Sequence, residues 1–431
     1  MPAGSAIKSV TAREVFSDRG HPGLEAVVVT ADGSRGVAMA TAGLSVGKHE
    51  VQFAYDGGSR WGGLGVLRAV GNVHAVIAPA LLGMDAARQR EVDRTMIELD
   101  GTPDRSRLGG NATAAVSAAA LKAGAASLGI PLYQHIGGTS ACLLPVPCAG
   151  GFGGCGRYGG GPPGSSTGDK PSHSFVCYGF DTFSQACYAG WEVSTAFRRI
   201  LRDSFGVGSE SSGYYGIAPG MVDHDRELWS AMAEAIAAAG HEGRVGMQID
   251  VAAGTYYDER RGVFTGLFSR EDRTRDELIQ AYRDMVKQYP VMILEDPLGE
   301  EDYEGHALLT RELGIEIVGD DLFTTNARRL RRGIAAGAAN AMLLKVNQVG
   351  TITEAFDAVD LAYRAGYGVM PCMSRGEGEA LADYVVGLGT GHTREGASGR
   401  FGNRFLEIES ELGSSARFLG RDALKVRWSE R

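Results

Sequence analysis

Short apolar runs alternate with helical patterns through the second half of the chain. Each run is rich in Val, Ile, Leu and Met, and the segments between the runs carry apolar residues at helical spacing. Strands that are buried on both faces and joined by crossover helices form parallel sheets. The alternation therefore predicts an α/β barrel. The helices are expected at residues 275–288, 303–312, 326–336, 351–365 and 377–387.

The first part of the chain has a different pattern. Residues 6–31 alternate apolar and polar positions around the turn Arg19-Gly20-His21-Pro22-Gly23, and 35–41 predict a third strand. Helical spacing follows at 65–82 and 86–100, and the segment 111–128 is apolar all round, which predicts a buried helix. We expect two domains, an N-terminal α+β domain over residues 1–138 and a barrel domain over residues 139–431.

A glycine-rich stretch interrupts the barrel pattern between residues 149 and 171. Its composition is incompatible with a helix or a central strand. Long loops in compact domains are usually either disordered or functional lids. The stretch follows directly on a predicted strand, so we favour a lid.

Composition and charge exclude several classes of function. The chain has 431 residues and a net charge of −9, so it lacks the basic excess that nonspecific nucleic-acid binding requires. No apolar run reaches membrane-spanning length, and the N-terminus lacks the apolar core of a signal peptide. The six cysteines form no CxxC pair, which favours free thiols. These features predict a cytoplasmic protein that binds neither nucleic acid nor membrane.

Charged residues stand at the ends of four successive predicted strands. Asp250, Glu295 and Asp320 end three of them, and Lys345 ends the fourth. The active site of such a barrel lies at the C-terminal strand ends. Three converging carboxylates repel one another unless a cation lies between them, and oxygen ligands suit Mg2+. Any one of these acids alone could simply bind loop amides, but four such residues in succession predict a functional site.

Motifs along nearly the whole chain resemble those of the enolase family. The motifs that carry the resemblance are Ala12-Arg13-Glu14-Val15-Phe16, Met96-Ile97-Glu98-Leu99-Asp100-Gly101-Thr102, Leu144-Pro145-Val146-Pro147, Asp250-Val251-Ala252-Ala253, Glu295-Asp296-Pro297, Val318-Gly319-Asp320-Asp321-Leu322 and Leu343-Leu344-Lys345-Val346-Asn347-Gln348. The resemblance implies an N-terminal α+β capping domain on a modified (β/α)8 TIM barrel, usually assembled as a homodimer.

The resemblance also implies the chemistry. Mg2+ would be bound by Asp250, Glu295 and Asp320. A second Mg2+ would arrive with the substrate and use Ser45 as a ligand. Lys345 would be the base that removes the proton α to a carboxylate, with its pKa lowered by neighbouring cations.

The chain departs from the family at several positions. Tyr214 and Ser174 stand where enolases carry glutamates, and the glutamate matching Tyr214 helps to expel the β-hydroxyl. The phosphate-binding arginine position holds Ser374, with Arg375 one step later, and Arg394 replaces a substrate-binding lysine. We expect Ser45, Ser374, Arg375 and Arg394 to bind an anionic substrate, since guanidinium groups suit a phosphate, phosphonate or carboxylate. Tyr214, Tyr215 or His173 would supply the substitute proton.

Three functions fit these observations. The first is a Mg2+-dependent lyase that forms an enolpyruvate-type product from 2-phosphoglycerate or a near analogue. The second is a biosynthetic paralogue, of which carboxyphosphonoenolpyruvate synthase in phosphonate antibiotic synthesis is an example. The third is a non-catalytic enolase-like binding protein, against which the four intact strand-end residues argue.

Overall fold

The N-terminal part of the chain is an antiparallel sheet covered by helices. The computed structural model describes residues 4–17, 20–43, 46–154, 156–159, 170–207, 210–211 and 214–430. Three strands pair in the order β1 (Ile7–Phe16), β2 (Pro22–Thr30) and β3 (Arg35–Thr41). The helical segments of this part are Leu67–Asn72, Val73–Ile77, Ala78–Leu81, Gln89–Asp100, Gly110–Leu128, Leu132–Gly137 and Gly138–Ser140.

The helix Gly110–Leu128 forms the core of this part. Almost all its residues from Gly110 to Ala125 are buried, as its apolar composition predicted. Its small side chains let the sheet approach closely, and a Cβ at Gly36 of β3 would lie 1.9 Å from the carbonyl oxygen of Ala119. Glycine is therefore required at position 36 for the sheet to pack on this helix.

The rest of the chain folds into a nearly closed barrel of eight strands. The strands are β4 (Val146–Gly150), β5 (Ser172–Cys177), β6 (Val245–Asp250), β7 (Val291–Glu295), β8 (Glu316–Gly319), β9 (Ala341–Leu344), β10 (Gly368–Pro371) and β11 (His392–Gly396). They are ordered β10-β9-β8-β7-β6-β5-β4-β11. A bridge between Val369 and Gly391 joins the two edges.

Helices surround the barrel. They are Phe183–Phe205, Arg226–Ala238, Arg275–Gln288, Tyr303–Leu313, Ala327–Ala336, Val346–Val349, Ile352–Arg364, Ala380–Leu388 and Gly399–Leu412. Short 3-10 turns lie at Arg60–Gly63, Ala253–Tyr256, Gly413–Ser415, Gly420–Ala423 and Trp428–Glu430. Short strands outside the barrel are Leu143–Leu144, Phe152–Gly153, Glu210–Ser211, Tyr214–Gly216, Tyr257–Asp258, Val263–Phe264 and Arg417–Phe418. The α/β barrel with an N-terminal α+β unit is thus confirmed.

Strand β5 runs against its neighbours. It pairs antiparallel with both β4 and β6, whereas the other neighbouring strands of the barrel pair parallel. Ser172, at the start of β5, faces Asp250 at the end of β6. The reversal therefore brings the chain just before β5 to the face of the barrel where the other strands end.

Buried polar contacts join the N-terminal part to the barrel. Both terminal nitrogens of Arg375 donate to the Glu50 carboxylate, at 2.6 and 2.5 Å. The Asn347 amide donates to the carbonyl oxygen of Thr41 at 2.8 Å. The loop after β3 is thereby held over the C-terminal strand ends.

Among the described residues, no single helix is long and apolar enough to cross a membrane. One bent pair, Gly110–Leu128 with Leu132–Ser140, reaches that length and composition only when its two members are taken together. The first member is the buried core helix described above, so the pair is weak support for a span.

Candidate active site

Three buried carboxylates lie at neighbouring strand ends. Asp250 ends β6, Glu295 ends β7 and faces Asp250 in the register, and Asp320 follows β8 directly. Their side chains are nearly inaccessible to solvent. Residues at the ends of adjacent parallel strands lie on one face of a barrel. We call Asp250, Glu295 and Asp320 the carboxylate triad.

Each member of the triad contacts a cationic side chain. The Lys170 ammonium pairs with Asp250. Arg394 donates from Nε to Glu295 Oε2 at 3.0 Å and from Nη2 to Asp250 Oδ2 at 2.6 Å. Lys345 Nζ donates to Asp320 Oδ2 at 2.5 Å. Each carboxylate of the triad is thus paired with at least one cation in a buried cluster.

The pKa of Lys345 is raised in this arrangement. Burial alone lowers the pKa of a lysine, but the adjacent Asp320 carboxylate outweighs it and raises the pKa of Lys345 above its ordinary value. The predicted lowering of this pKa therefore does not hold while Asp320 is its partner. A neutral Lys345 amine requires that contact to be released.

The triad has the donor chemistry for Mg2+. All its ligand atoms are carboxylate oxygens, which this hard cation prefers. Oε1 of Glu295 is buried and has no hydrogen-bond partner among the described residues. Buried polar atoms are nearly always satisfied, so an orphaned carboxylate oxygen fits a ligand position. The residues present fit the metal.

A second acidic group overlaps the triad. Carboxylate oxygens of Asp296, Asp320 and Asp321 lie within 4.8 Å of one another. Asp296, however, accepts the backbone N–H groups of Asp320 at 3.0 Å, Asp321 at 2.7 Å and Leu322 at 3.4 Å. Because these amides already occupy its oxygens, we assign Asp296 to holding the loop and retain the triad as the ligand set.

Tyr214 and Ser174 form a polar pair at the same face. Ser174 lies opposite Gln248 in the register, two residues below Asp250. The Tyr214 hydroxyl lies 2.9 Å from Ser174 Oγ. Burial raises the pKa of Tyr214 to about 12, so its hydroxyl keeps its proton at neutral pH. Tyr215 points elsewhere, and its hydroxyl accepts a hydrogen bond from Arg198 at 2.6 Å.

The structure does not bring His173 to this site, which corrects the prediction that it supplies a proton. His173 pairs with Ile249, so its side chain lies on the opposite side of the strand from Ser172 and Ser174. Its ring stacks on Phe152, and its Nε2 accepts from the Trp229 indole at 2.9 Å. Burial lowers the pKa of His173 well below its ordinary value. It is a core residue between the sheet and a helix.

The predicted substrate-binding residues separate into different environments. Arg394 lies within the cluster, whereas Arg375 is buried with Glu50 as its bidentate partner. In this structure the Arg375 guanidinium pairs with Glu50, so its binding to a substrate stays a prediction. Ser374 is half-buried, and its Oγ accepts from the Cys372 thiol at 3.3 Å. Ser45 lies outside the described residues.

Two charged residues at this site carried no prediction. Lys170 precedes the reversed strand β5, and strand direction cannot be read from an apolar pattern. Glu395 follows Arg394 in β11, and its carboxylate accepts from Arg394 Nη1 at 3.0 Å and from the backbone N–H of Met373 at 3.2 Å. Its position beside a predicted site residue at a strand end was the available signal.

The chain matches two family models that together cover most of its length. The model described as "Enolase, C-terminal TIM barrel domain" matches residues 172–427, and "Enolase, N-terminal domain" matches residues 7–136. An enolase of Methanopyrus kandleri is 45% identical over 428 residues, covering 96% of this chain and 97% of that protein. An enolase of Methanocaldococcus jannaschii is 41% identical over 425 residues, with the same coverage. An enolase of Bifidobacterium longum is 40% identical over 437 residues, covering 98% of each.

Proposed function

The chain belongs to the enolase family of hydro-lyases, and from that premise we propose that it converts 2-phosphoglycerate or a near analogue into an enolpyruvate-type product with Mg2+. The observation that carries the proposal is the convergence of Lys345 with the carboxylate triad at neighbouring strand ends. This is the half of the site that removes a proton α to a carboxylate.

The reaction begins at Lys345. Its amine accepts the α-proton only when neutral, and it becomes neutral once Asp320 no longer holds its charge. Mg2+ held by Asp250, Glu295 and Asp320, with Ser45 as a ligand to a second ion, would supply the positive charge that a developing enediolate needs. Arg394 orients an anionic substrate group through its guanidinium.

Departure of the β-hydroxyl requires a proton. Tyr214 is the candidate in place of the family glutamate, since burial keeps its hydroxyl protonated at neutral pH and it lies 2.9 Å from Ser174 Oγ. The hydroxyl transfers its proton to the leaving oxygen, and Ser174 orients it. Ser374 and Arg394 face the substrate's anionic end.

A second substrate class is a candidate that the named relatives do not support. Arg394 and Lys170 place two cations against the triad, and the family's glutamates are replaced by Ser174 and Tyr214. These cations suit any substrate that carries a carboxylate and a phosphate or phosphonate group, so a phosphonate carboxylate remains a second candidate to test. The third hypothesis, a non-catalytic binding protein, gains no support from relatives that are named enolases.

The test is turnover of 2-phosphoglycerate by the purified protein with and without Mg2+, followed through the ultraviolet absorbance of phosphoenolpyruvate. Lys345→Ala should lower kcat on the order of 10²–10⁴-fold, the usual range for a general base. Lys287→Ala is the matched control, because this exposed lysine lies in the last turn of the helix Arg275–Gln288, at the other end of the barrel. Turnover that survives Lys345→Ala would contradict the proposed base.

Absence of turnover in the unaltered protein would have a different meaning. The same assay should then be run with phosphonate carboxylates, and Mg2+-dependent binding of these would favour the second substrate class. The family also suggests a homodimer, and sedimentation velocity measures that separately.

A further inference from the structure

Lys170 is a cation at the active site to which sequence reasoning gave no role. Its chain position is fixed by the reversed strand: β5 begins at Ser172, which faces Asp250, so Lys170 lies two residues outside the mouth of the barrel. The Tyr256 hydroxyl donates to the carbonyl oxygen of Lys170 at 2.6 Å and holds the backbone there. The side chain is 14% exposed, compared with 2% for its partner Asp250.

The same carboxylate oxygen receives two cations. Asp250 Oδ2 accepts from Arg394 Nη2 at 2.6 Å and also pairs with the Lys170 ammonium. Arg394 has further partners, Glu295, Ser172 and Glu395, which hold its guanidinium in place. Among the described residues Asp250 is the only ion-pair partner of Lys170. Lys170 is therefore held by fewer partners than Arg394, and its side chain is more exposed than that of Lys345, 14% against 6%.

Any Mg2+ that uses Asp250 must compete with this ammonium. Asp250 Oδ2 already pairs with both Arg394 and Lys170, so a divalent cation bound to Asp250 would repel these two charges, and the displaced ammonium near the mouth would need a new anion. We propose that Lys170 exchanges partners during binding, pairing with Asp250 in the free protein and with the phosphate or phosphonate group of the substrate once metal occupies the triad. The inference rests on the proposed function, because it needs both the metal and an anionic substrate.

The exchange couples two binding events. While Lys170 pairs with Asp250, it weakens Mg2+ binding to that carboxylate. In the same state, Lys170 is not available to pair with the anionic group of the substrate. Each ligand relieves the cost of binding the other, and thermodynamic linkage requires the two effects to be equal. Metal and anionic substrate should therefore bind with positive cooperativity, and Lys170 is the residue through which it acts.

Isothermal titration calorimetry measures this coupling directly. Mg2+ is titrated alone and in the presence of phosphonoacetate, which carries a carboxylate and a phosphonate but no hydroxyl to eliminate. In the unaltered protein, phosphonoacetate should tighten Mg2+ binding about tenfold, within the usual range of coupling between two sites. In Lys170→Gln, Mg2+ alone should bind more tightly than to the unaltered protein, phosphonoacetate should bind more weakly, and the coupling should shrink.

Lys170→Arg keeps the charge and should retain the coupling, and Lys170→Met serves as a second neutral variant if Lys170→Gln folds poorly. Lys287→Gln is the matched control for loss of an exposed lysine charge on the opposite face. Circular dichroism and urea unfolding establish that each variant is folded before its titration.

The outcomes separate the two proposals. If the unaltered protein binds phosphonoacetate with Mg2+, but Lys170→Gln binds Mg2+ no more tightly, the partner exchange is wrong and the proposed function stands. If phosphonoacetate and Mg2+ fail to promote each other's binding in the unaltered protein and in every variant, and 2-phosphoglycerate is not turned over, the proposed function fails and takes the exchange with it.

Discussion

At the residue scale, the distinctive feature of the site is the pair of hydroxyl groups, Tyr214 and Ser174, on the strand side opposite Lys345. The Tyr214 hydroxyl and Ser174 replace carboxylates with neutral groups. A phenol whose pKa is raised to about 12 donates a proton less readily than a carboxylic acid. The exchange of acids for hydroxyls therefore predicts a slow loss of the leaving group rather than a defect in proton removal.

Tyr214→Phe tests this assignment. The variant keeps the ring but removes the proton, and kcat should fall on the order of 10²-fold, with exchange of the substrate α-proton into solvent less affected. Deuterium exchange followed by NMR, beside turnover, separates the two steps. Tyr215→Phe is the matched control, because the Tyr215 hydroxyl accepts a hydrogen bond from Arg198, whereas the Tyr214 hydroxyl contacts Ser174. Equal effects of the two substitutions would contradict the role of Tyr214.

Lys122 provides a pH-dependent prediction away from the site. Burial lowers the pKa of Lys122 to about 8, although Glu377 partly opposes the shift. Below pH 8 the ammonium is charged in both states and its burial opposes folding; between pH 8 and the unfolded pKa of about 10.4 the unfolded chain binds more protons, so stability rises with pH.

Urea unfolding of Lys122→Met tests this sign. Solvent partly screens the half-buried Lys122 ammonium, which also donates to the Val37 carbonyl at 2.8 Å. The variant should therefore be more stable at pH 7 by only about 1–2 kcal/mol. The difference should narrow as pH rises from 8 to 10. A difference that does not change with pH would show that the Lys122 pKa is not shifted.

At the scale of elements, the apolar pattern predicted most of the helices and strands. Helices predicted at 275–288, 303–312 and 326–336 match the observed bounds within one residue. The direction of a strand cannot be predicted from its apolar run, because the run has the same pattern in either orientation. The reversal of β5 and the position of Lys170 were therefore not predicted. The His173 prediction failed for a related reason: strand register decides which side a residue faces, and one position separates the barrel interior from the outer core.

The loop after β8 depends on Asp296. This residue has a positive φ of 42° and accepts three backbone N–H groups from Asp320 to Leu322. Asp296→Ala leaves these buried donors without acceptors and should cost about 2–4 kcal/mol in the free energy of unfolding. Asp296→Asn keeps one oxygen acceptor and tolerates positive φ, so its cost should be smaller. Equal losses in urea unfolding would show that the amides do not need the side chain.

At the scale of the whole molecule, the N-terminal part completes the site through a buried ion pair. Glu50 comes from the loop after β3, and Arg375 comes from the segment after β10. From the sequence, Arg375 was predicted to lie near the site and to bind the substrate. Its partner Glu50 was not predicted, because it lies more than 300 residues away in the chain and no local pattern joins the two. Long-range partners of this kind are what single-sequence reasoning could not supply.

Removing one partner tests this connection. Glu50→Ala leaves the Arg375 guanidinium buried without its main anion and should destabilise the protein by about 3–5 kcal/mol. Glu50→Leu combined with Arg375→Met should recover part of that loss. Asp360→Ala, which removes an exposed partner of Arg364, is the matched control and should change stability by no more than about 1 kcal/mol. If the double variant loses as much free energy of unfolding as Glu50→Leu and Arg375→Met lose separately when added together, direct pairing of the two residues is contradicted.

The reversed strand β5 also has a consequence for how this barrel can diversify. Because β4 and β5 are antiparallel neighbours, the connection between them begins and ends at the face of the barrel where the other strands end. Lengthening such a connection is inexpensive, since each doubling costs only about 0.6 kcal/mol in closure entropy. A change in the length of this connection is therefore expected to leave the barrel strands and the carboxylate triad in place.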